Sequence, residues 1–515
     1  RKPVQLSLYG FSCVDDSSIL RSISIMKKIS ILLLIFLLQA CVHKNIEREF
    51  DQVKLNPVAL RMFLAEMPKG AELHTHLSGI PYAEDYLTWA AAEDACIKIS
   101  DSRLVTKPCN NGTVAATQAF SKSNIWNTAV DALSVRQNLR DNRMWGHDHF
   151  FSTFSKFGIA KQNVGSLLAH AAKQAHRDKV QYVEAMLSIY GPRWVTPWSK
   201  LIKWDGNFQT ALNKLKINGF FSEMDYSIEM LNKAESLKIN ILGSGPGSKV
   251  LIHYINQIYR GATPSYVFAQ MAWSFELVKR DPRVVALNLV GPEDSPISVR
   301  DYQLHMEMLD FFHNLYPDVP ITLHAGELTG GITTPQALSN HIRLALIKGH
   351  AQRIGHGVDI SYEEYARDTL DLMSANGIAL ESLLSSNDVI LHVAGKDHPL
   401  RTYMSAGVPV TLSSDDMGVA RSTLTNEYVR AALEQGFTYE NLKKAARNSL
   451  EYSFLNGESL WSDYERGRMK SYCLEGHSLD EECVSFLTIS EKASQQMSLE
   501  KKIKIFEANY NNLYI

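Results

Sequence analysis

With 515 residues, 45% hydrophobic and 21% charged, the chain falls in the ordinary globular range and is long enough for one large domain with insertions, or for two domains. Its 53 Lys and Arg against 55 Asp and Glu leave a formal charge of -2. That balance excludes a long-range basic field able to gather nucleic acid or an acidic membrane, and it suits a small neutral ligand.

Residues 1–25 lack an initiating Met and are expected to lie upstream of the natural start. Met26-Lys27-Lys28 precedes the apolar run Ile29 to Leu38, far shorter than the roughly 20 residues of a membrane span, so residues 26–40 read as a secretory signal. Leu38-Gln39-Ala40-Cys41 resembles a bacterial lipobox. The pattern predicts an exported, periplasmic or cell-surface protein whose membrane contact is a lipid on Cys41; a plain cleaved signal or a short buried helix are the alternatives. Residues 41–66 are expected to form a tether and a helix, and residues 67–515 the main body.

Within that body, short β-branched and apolar segments alternate with stretches of helical periodicity, which predicts parallel βα units. The expected strands are Ala71 to Leu77, Val180 to Ile189, Lys238 to Ser244, Val284 to Gly291, Pro320 to Glu327, Arg353 to Gly357, Ile378 to Ser386, and Val408 to Asp416. Eight such strands make a closed (β/α)8 TIM barrel the economical α/β topology, ahead of an open doubly wound sheet. The connection between the first two strands is far longer than a βα loop and predicts a helical insertion at about residues 80–175. It contains Cys96, Cys109 and Phe150, Phe151, Phe154 and Phe157; on a helix Phe150, Phe154 and Phe157 share a face, as core packing or as a cover for an apolar ligand. Cys96 with Cys109, and Cys473 with Cys483, are spaced either for short disulfide loops in an exported protein or as four free structural thiols. Helices are expected over Asn426 to Glu434, Tyr439 to Ser453 and Ser498 to Tyr510.

The chemically loaded residues fall at the carboxyl ends of the expected strands. In His74-Thr75-His76 the two imidazoles are two residues apart, so a strand turns both to one face. With His324 and Asp415 they offer three imidazoles and a carboxylate, a donor set suited to one Zn2+ that keeps a position for water. Glu327, three residues after His324, is the candidate proton donor; a supporting contact to a histidine is the plainer role. His356, between Gly355 and Gly357, can orient or deprotonate water, serve as a fourth metal imidazole, or be a core histidine. Asp415 and Asp416 are adjacent, so both point inward only if the backbone turns at the strand end. Asp416 then faces substrate, and must be protonated to donate a hydrogen bond to a ring nitrogen.

Met67-Pro68-Lys69-Gly70-Ala71-Glu72-Leu73-His74-Thr75-His76-Leu77, His324-Ala325-Gly326-Glu327, Arg353-Ile354-Gly355-His356-Gly357 and Ser413-Ser414-Asp415-Asp416 together resemble the adenosine/AMP deaminase family of metal-dependent amidohydrolases. The resemblance extends through Leu289-Val290-Gly291-Pro292-Glu293-Asp294 and Ala446 to Phe454, and looks most like the secreted growth-factor-type adenosine deaminases. It implies zinc on His74, His76, His324 and Asp415, protonation of purine N1 by Glu327, handling of the attacking water by His356, a contact of Asp416 to N7, and approach of the Gly291 backbone to N3. Ser78 stands at the sugar position, where many members carry an acidic residue. The usual Cys-Pro-x-Ser-Asn after the seventh strand is here Leu383-Leu384-Ser385-Ser386-Asn387, keeping only its end. The expected activity is conversion of adenosine or 2'-deoxyadenosine to inosine or 2'-deoxyinosine and ammonia. The alternatives are an aminohydrolase of the same fold acting on adenine, AMP or a modified adenosine, and a catalytically silent surface protein that binds nucleosides. The dimer-forming extension of growth-factor-type members is mostly missing between Cys41 and Met67, so the resemblance implies no oligomeric state.

Overall fold

A computed structural model describes residues 46–136, 143–158, 163–473 and 481–511; the expected signal segment 26–40 and Cys41 lie outside the described residues. Eight strands form the centre: β1 (Gly70–His76), β2 (Val180–Leu187), β3 (Leu251–Tyr259), β4 (Val284–Val290), β5 (Thr322–Ala325), β6 (Arg353–His356), β7 (Ala379–Ser382) and β8 (Val410–Leu412). β1 to β4 pair in parallel in one sheet and β5 to β8 in another. Parallel bridges from Leu287 to Ile321 and from Thr75 to Asp415 join the sheets at both edges and close the ring. The expected (β/α)8 architecture is therefore present. β1 and β4 are buried along their whole length, as strands packed inside and covered by helices outside must be.

The third expected strand was misplaced. Lys238 to Leu242 is the end of helix Met224–Leu242, and β3 forms only at Leu251. Ile239, Ile241 and Leu242 make a short apolar run of the kind that strand and helix share. Buried Met224, Ser227, Leu231 and Ala234, at three- and four-residue spacing, carry the helical period through it until Gly243, at φ 52°, ends the helix. Other strands are shorter at their carboxyl ends than expected: Ser385 and Ser386 already belong to helix Leu384–Leu391, and Asp415 and Asp416 to the loop after β8.

The insertion is helical with one addition. Helices Ala83–Ala92, Ser123–Leu133 and Arg143–Thr153 accompany a small antiparallel sheet of Leu104–Val105, Cys96–Lys98 and Thr113–Ala115. Both cysteine pairs are disulfide-bonded, with Cα atoms 5.5 Å apart in Cys96–Cys109 and 5.1 Å apart in Cys473–Cys483. The phenylalanines are core. The helix stops at Thr153, and Phe154 meets Phe150 and Phe157 edge-on at 5.7 and 5.5 Å, while Phe157 stacks on Tyr86 at 4.5 Å.

Helix Pro57–Glu66 begins where Asn56 caps it and Pro57 needs no amide partner. Its Phe63 packs on Phe506 and Tyr510 of helix Glu491–Asn511, at 5.1 and 4.6 Å. Just before β1, the buried Lys69 ammonium donates to the carbonyls of Leu64, Met67 and Asp178, tying the helix end to the strand; burial lowers its pKa to about 7. The expected helices after β8 are Leu424–Glu434, capped by Thr423, and Tyr439–Glu451, capped by Thr438. Among the described residues no helix is long and apolar enough to cross a membrane.

Candidate active site

The carboxyl ends of β1, β5, β6 and β8 bring five expected residues to one point. His324 Nε2 lies 3.0 Å from His74 Nε2 and 3.2 Å from His76 Nε2. Asp415 Oδ1 lies 3.4 Å from His76 Nε2 and 3.7 Å from His74 Nε2. The ligand atoms close enough to share an ion form two overlapping groups: His74, His324 and His356 with Asp415, and His76 with Asp415 and Asp416. His356, expected to handle water, thus stands as near the centre as the expected ligands do.

Partners behind the imidazoles decide which nitrogens face inward. His74 Nδ1 donates to Glu381 at 2.5 Å, a carboxyl whose burial is outweighed by Arg353 and His74, so that its pKa falls to about 2. His324 Nδ1 donates to Asn288 Oδ1 at 3.0 Å, and His356 Nδ1 to Asn387 Oδ1 at 2.8 Å. Each Nε2 therefore presents a lone pair. Burial lowers the pKa of His76 to about 4, that of His324 well below the usual value, and that of His356 also, keeping these rings neutral.

Two lone pairs 3.0 Å apart repel unless they share a cation. The 3.0–3.7 Å spacings bracket the roughly 3.3 Å edge of a tetrahedral shell with metal–nitrogen bonds of about 2.0–2.1 Å. Asp415 Oδ1 and His356 Nε2, both buried, have no hydrogen-bond partner, while Ser386 Oγ occupies the other Asp415 oxygen at 2.7 Å. The donor set fits one divalent cation.

The adjacent aspartates do turn inward together. Asp415 takes φ 56° and His356 φ 71°, left-handed conformations that cost side-chain-bearing residues of the order of 1–3 kcal/mol each. Asp415 is held there by β1: its amide donates to the His74 carbonyl at 3.0 Å, and its carbonyl accepts from Thr75 Oγ1 at 2.6 Å. Gly355 and Gly357 leave room for their neighbours, since a Cβ would lie 2.5 Å from His74 Cε1 at the first and 2.6 Å from the Tyr403 hydroxyl at the second. Gly79, which sequence reasoning passed over, is as constrained: a Cβ there would overlap the Asp416 carboxylate at 1.6 Å.

Glu327 is buried with Oε1 3.6 Å from His356 Nε2. Burial, then the nearby Asp415 and Glu293, push its pKa well above the usual carboxylate range. Burial and Asp415 do the same to Asp416. Asp415 stays below that range because His76 and His74 outweigh its burial. Protonated Glu327 and Asp416 can donate, and neutral His356 can accept, which is the division an acid–base reaction needs. Gly291 has φ 96°, and a Cβ there would meet the Tyr259 ring at 2.7 Å, so the glycine is required by the fold itself. Ser78 is half-buried, and its carbonyl accepts from the Tyr86 hydroxyl at 2.6 Å.

Several supporting residues were missed. Asn288 and Glu381 are unremarkable polar residues in sequence, but they lie on β4 and β7 and fix the tautomers. Ser386 and Asn387 had a signal: they are the retained end of the motif after the seventh strand, and they are the pair that touches Asp415 and His356. Replacing Glu381 with glutamine is expected to loosen metal binding about 10- to 100-fold, read by competition with a fluorescent chelator. Unaltered affinity would show that the Glu381–His74 contact does not tune the site.

The sequence model of the family described as "Adenosine deaminase" matches residues 128–460, which excludes His74, Thr75, His76, Ser78, Gly79 and Tyr86 but includes the remaining site residues named above. An adenosine deaminase of Escherichia coli is 36% identical over 139 residues, covering 27% of this chain and 38% of that protein, so the match spans well under half of that relative's length. The adenosine deaminase of Aliivibrio fischeri is 26% identical over 307 residues, 55% of this chain and 84% of the relative. The Arabidopsis N6-mAMP deaminase structure superposes with a TM-score of 0.51 at 17% identity, covering 77% of this chain and 96% of that one. A family match over most of the chain, on a closed parallel barrel with a histidine–aspartate centre at its carboxyl rim, establishes that this protein belongs to the adenosine deaminase family.

Proposed function

We propose that the protein is a zinc-dependent aminohydrolase that converts adenosine or 2'-deoxyadenosine to inosine or 2'-deoxyinosine. The observation that carries this reading is the convergence of His74, His76, His324, His356 and Asp415 beside two buried carboxyl groups, Glu327 and Asp416, whose pKa values burial and neighbouring carboxylates raise. Imidazole nitrogen and carboxylate oxygen are donors that zinc takes in catalytic sites, and His74, His76, His324 and Asp415 would supply them. When bound, the ion supplies a Lewis acid that lowers the pKa of a water molecule it holds.

The chain's own residues supply the rest. Glu327 gives its proton to N1 of the purine, which makes C6 electrophilic; His356 takes a proton from the attacking water; Asp416 donates to N7 and holds the ring in register. The hydroxyl adds at C6, the proton held by His356 passes to the amino nitrogen, the bond from C6 to that nitrogen breaks and ammonia leaves, and the remaining hydroxyl proton returns to Glu327 as the C6 carbonyl forms. Gly291 and Ser78 are assigned to the N3 and sugar sides.

Purified protein should convert adenosine to inosine and lose that activity with a strong chelator, regaining it on addition of Zn2+. Adenosine turnover that survives complete metal removal would sink the reading. A parallel panel of adenine, AMP and N6-methyl-AMP separates adenosine from the substrates of similar-fold enzymes, and preference for any of these over adenosine would replace the substrate named here. Export is part of the proposal: two disulfides suit an oxidising compartment, and the apolar segment ending at Cys41 suits a lipid anchor.

A further inference from the structure

The turn between β4 and helix Pro296–Leu315 carries two adjacent acids that take no direct part in the proposed proton transfers. Glu293 points inward and is buried. One of its carboxylate oxygens accepts from the Gly326 amide at 3.2 Å and from His341 Nδ1 at 2.7 Å, and the other accepts from the Glu327 amide at 2.9 Å. His341 is itself fixed, stacked on Tyr302 with ring centroids 3.5 Å apart and planes within 2°. The peptide that carries Glu327 is thus gripped at both of its amides by one carboxylate.

Asp294 faces the other way. Its Oδ1 lies 3.0 Å from His147 Nε2, on the insertion helix Arg143–Thr153. His147 is mostly buried, and although burial opposes its charge, Asp294 and Asp148 raise its pKa to about 9, so at neutral pH this is an ion pair. The same helix is pressed against helix Leu384–Leu391 at Gly146, where a Cβ would lie 2.3 Å from the Val389 carbonyl. The turn joining the two acids to their neighbours is stiff. Pro292 and Pro296 fix φ on either side, Gly291 sits at φ 96°, and Ser295 Oγ accepts from the Ser298 amide at 3.3 Å. Displacing Asp294 therefore displaces Glu293.

We propose that Glu293 and Asp294 form a two-headed clamp, in which Glu293 is a positioning residue for Glu327 and Asp294 seats the insertion against the site through His147, so that the placement of the insertion sets the placement of the acid. The catalytic consequence rests on the adenosine deaminase reading; the mechanical coupling does not. Glu293→Gln keeps the volume but weakens the grip on the two amides. It should lower kcat about 100-fold with KM within about threefold and with metal content unchanged, the signature of a misplaced rather than a missing catalytic group.

The coupling is tested by amide hydrogen exchange followed by mass spectrometry. In Asp294→Asn, exchange should rise about tenfold in peptides spanning residues 323–331 as well as in those spanning residues 143–153. A rise confined to residues 143–153 overturns the coupling, and full kcat in Glu293→Gln overturns the positioning role. If Glu293→Gln fails to fold, the Asp294→Asn exchange result decides the clamp on its own. Absence of deaminase activity in the wild-type protein would instead defeat the proposed function and leave the exchange result standing.

Discussion

Replacing Glu327 with glutamine is expected to lower kcat for adenosine about 10²- to 10⁴-fold while leaving metal content and fold intact, because the amide keeps the shape and one donor but has no proton to give. The pH profile should confirm the role. Burial, Asp415 and Glu293 hold the Glu327 proton well past the usual carboxylate range, so wild-type activity falls on the alkaline side as Glu327 ionises. It falls on the acid side as His356, held neutral by burial, gains a proton. The glutamine variant should keep the acid limb and lose the alkaline one. Full activity in this variant would remove Glu327 from the chemistry and with it the proposed division of acid and base.

The second large effect is on stability. Arg353 is fully buried, with Nε 2.5 Å from Glu381 and Nη2 2.6 Å from Glu184; Nη1 donates to the Tyr452 carbonyl at 3.0 Å, and the guanidinium lies 3.9 Å from the centre of the Phe454 ring. Arg353→Met fills most of the space but strands two buried carboxylates, which should cost about 3–5 kcal/mol in urea denaturation carried out with chelator present. Glu381 adds a pH signature. Its folded pKa, about 2, lies below its ordinary value of 4.5, so its contribution is complete above that ordinary value and is lost as pH falls from there towards 2. In the Met variant this acid limb should shrink, because the cation that depresses Glu381 is gone. A loss below about 1 kcal/mol would mean the barrel tolerates the unpaired acids and the ion triad is not what holds this end of it.

Part of this site was legible because chelation and proton transfer need particular side chains at particular places. His74 and His76 at strand spacing, His324 with Glu327 after it, His356 between glycines and the Asp415–Asp416 pair each stand out by residue type, and all sit where a parallel barrel exposes strand ends. Ser386 and Asn387 were half legible as the surviving end of a motif. Glu293 stood in a matched motif but with no role attached. Asn288, Glu381 and Glu184 were not legible, because a polar residue inside a strand has no local signature; its meaning comes from the side chain opposite it, on a strand 36 or more residues away in the cases of Asn288 to His324 and Glu381 to His74. The third strand failed for a related reason. Five residues around Ile239 look alike in either state, and the decision belonged to the core that buries Leu231 and Ala234 one turn earlier.

Residue chemistry and alternation thus determined an eight-strand βα architecture, with seven of the strands in their true places, that would bring three imidazoles and a carboxylate to one rim. Only the closed barrel decided which nitrogen of each ring faces the centre, that Asp415 and Asp416 both turn inward through a left-handed residue, and that Glu327 keeps its proton. Donor identity is a property of single side chains and is written locally. Tautomer, backbone strain and pKa arise from burial and from groups between 31 and 340 residues apart in the chain, so they come into being only when the ring closes.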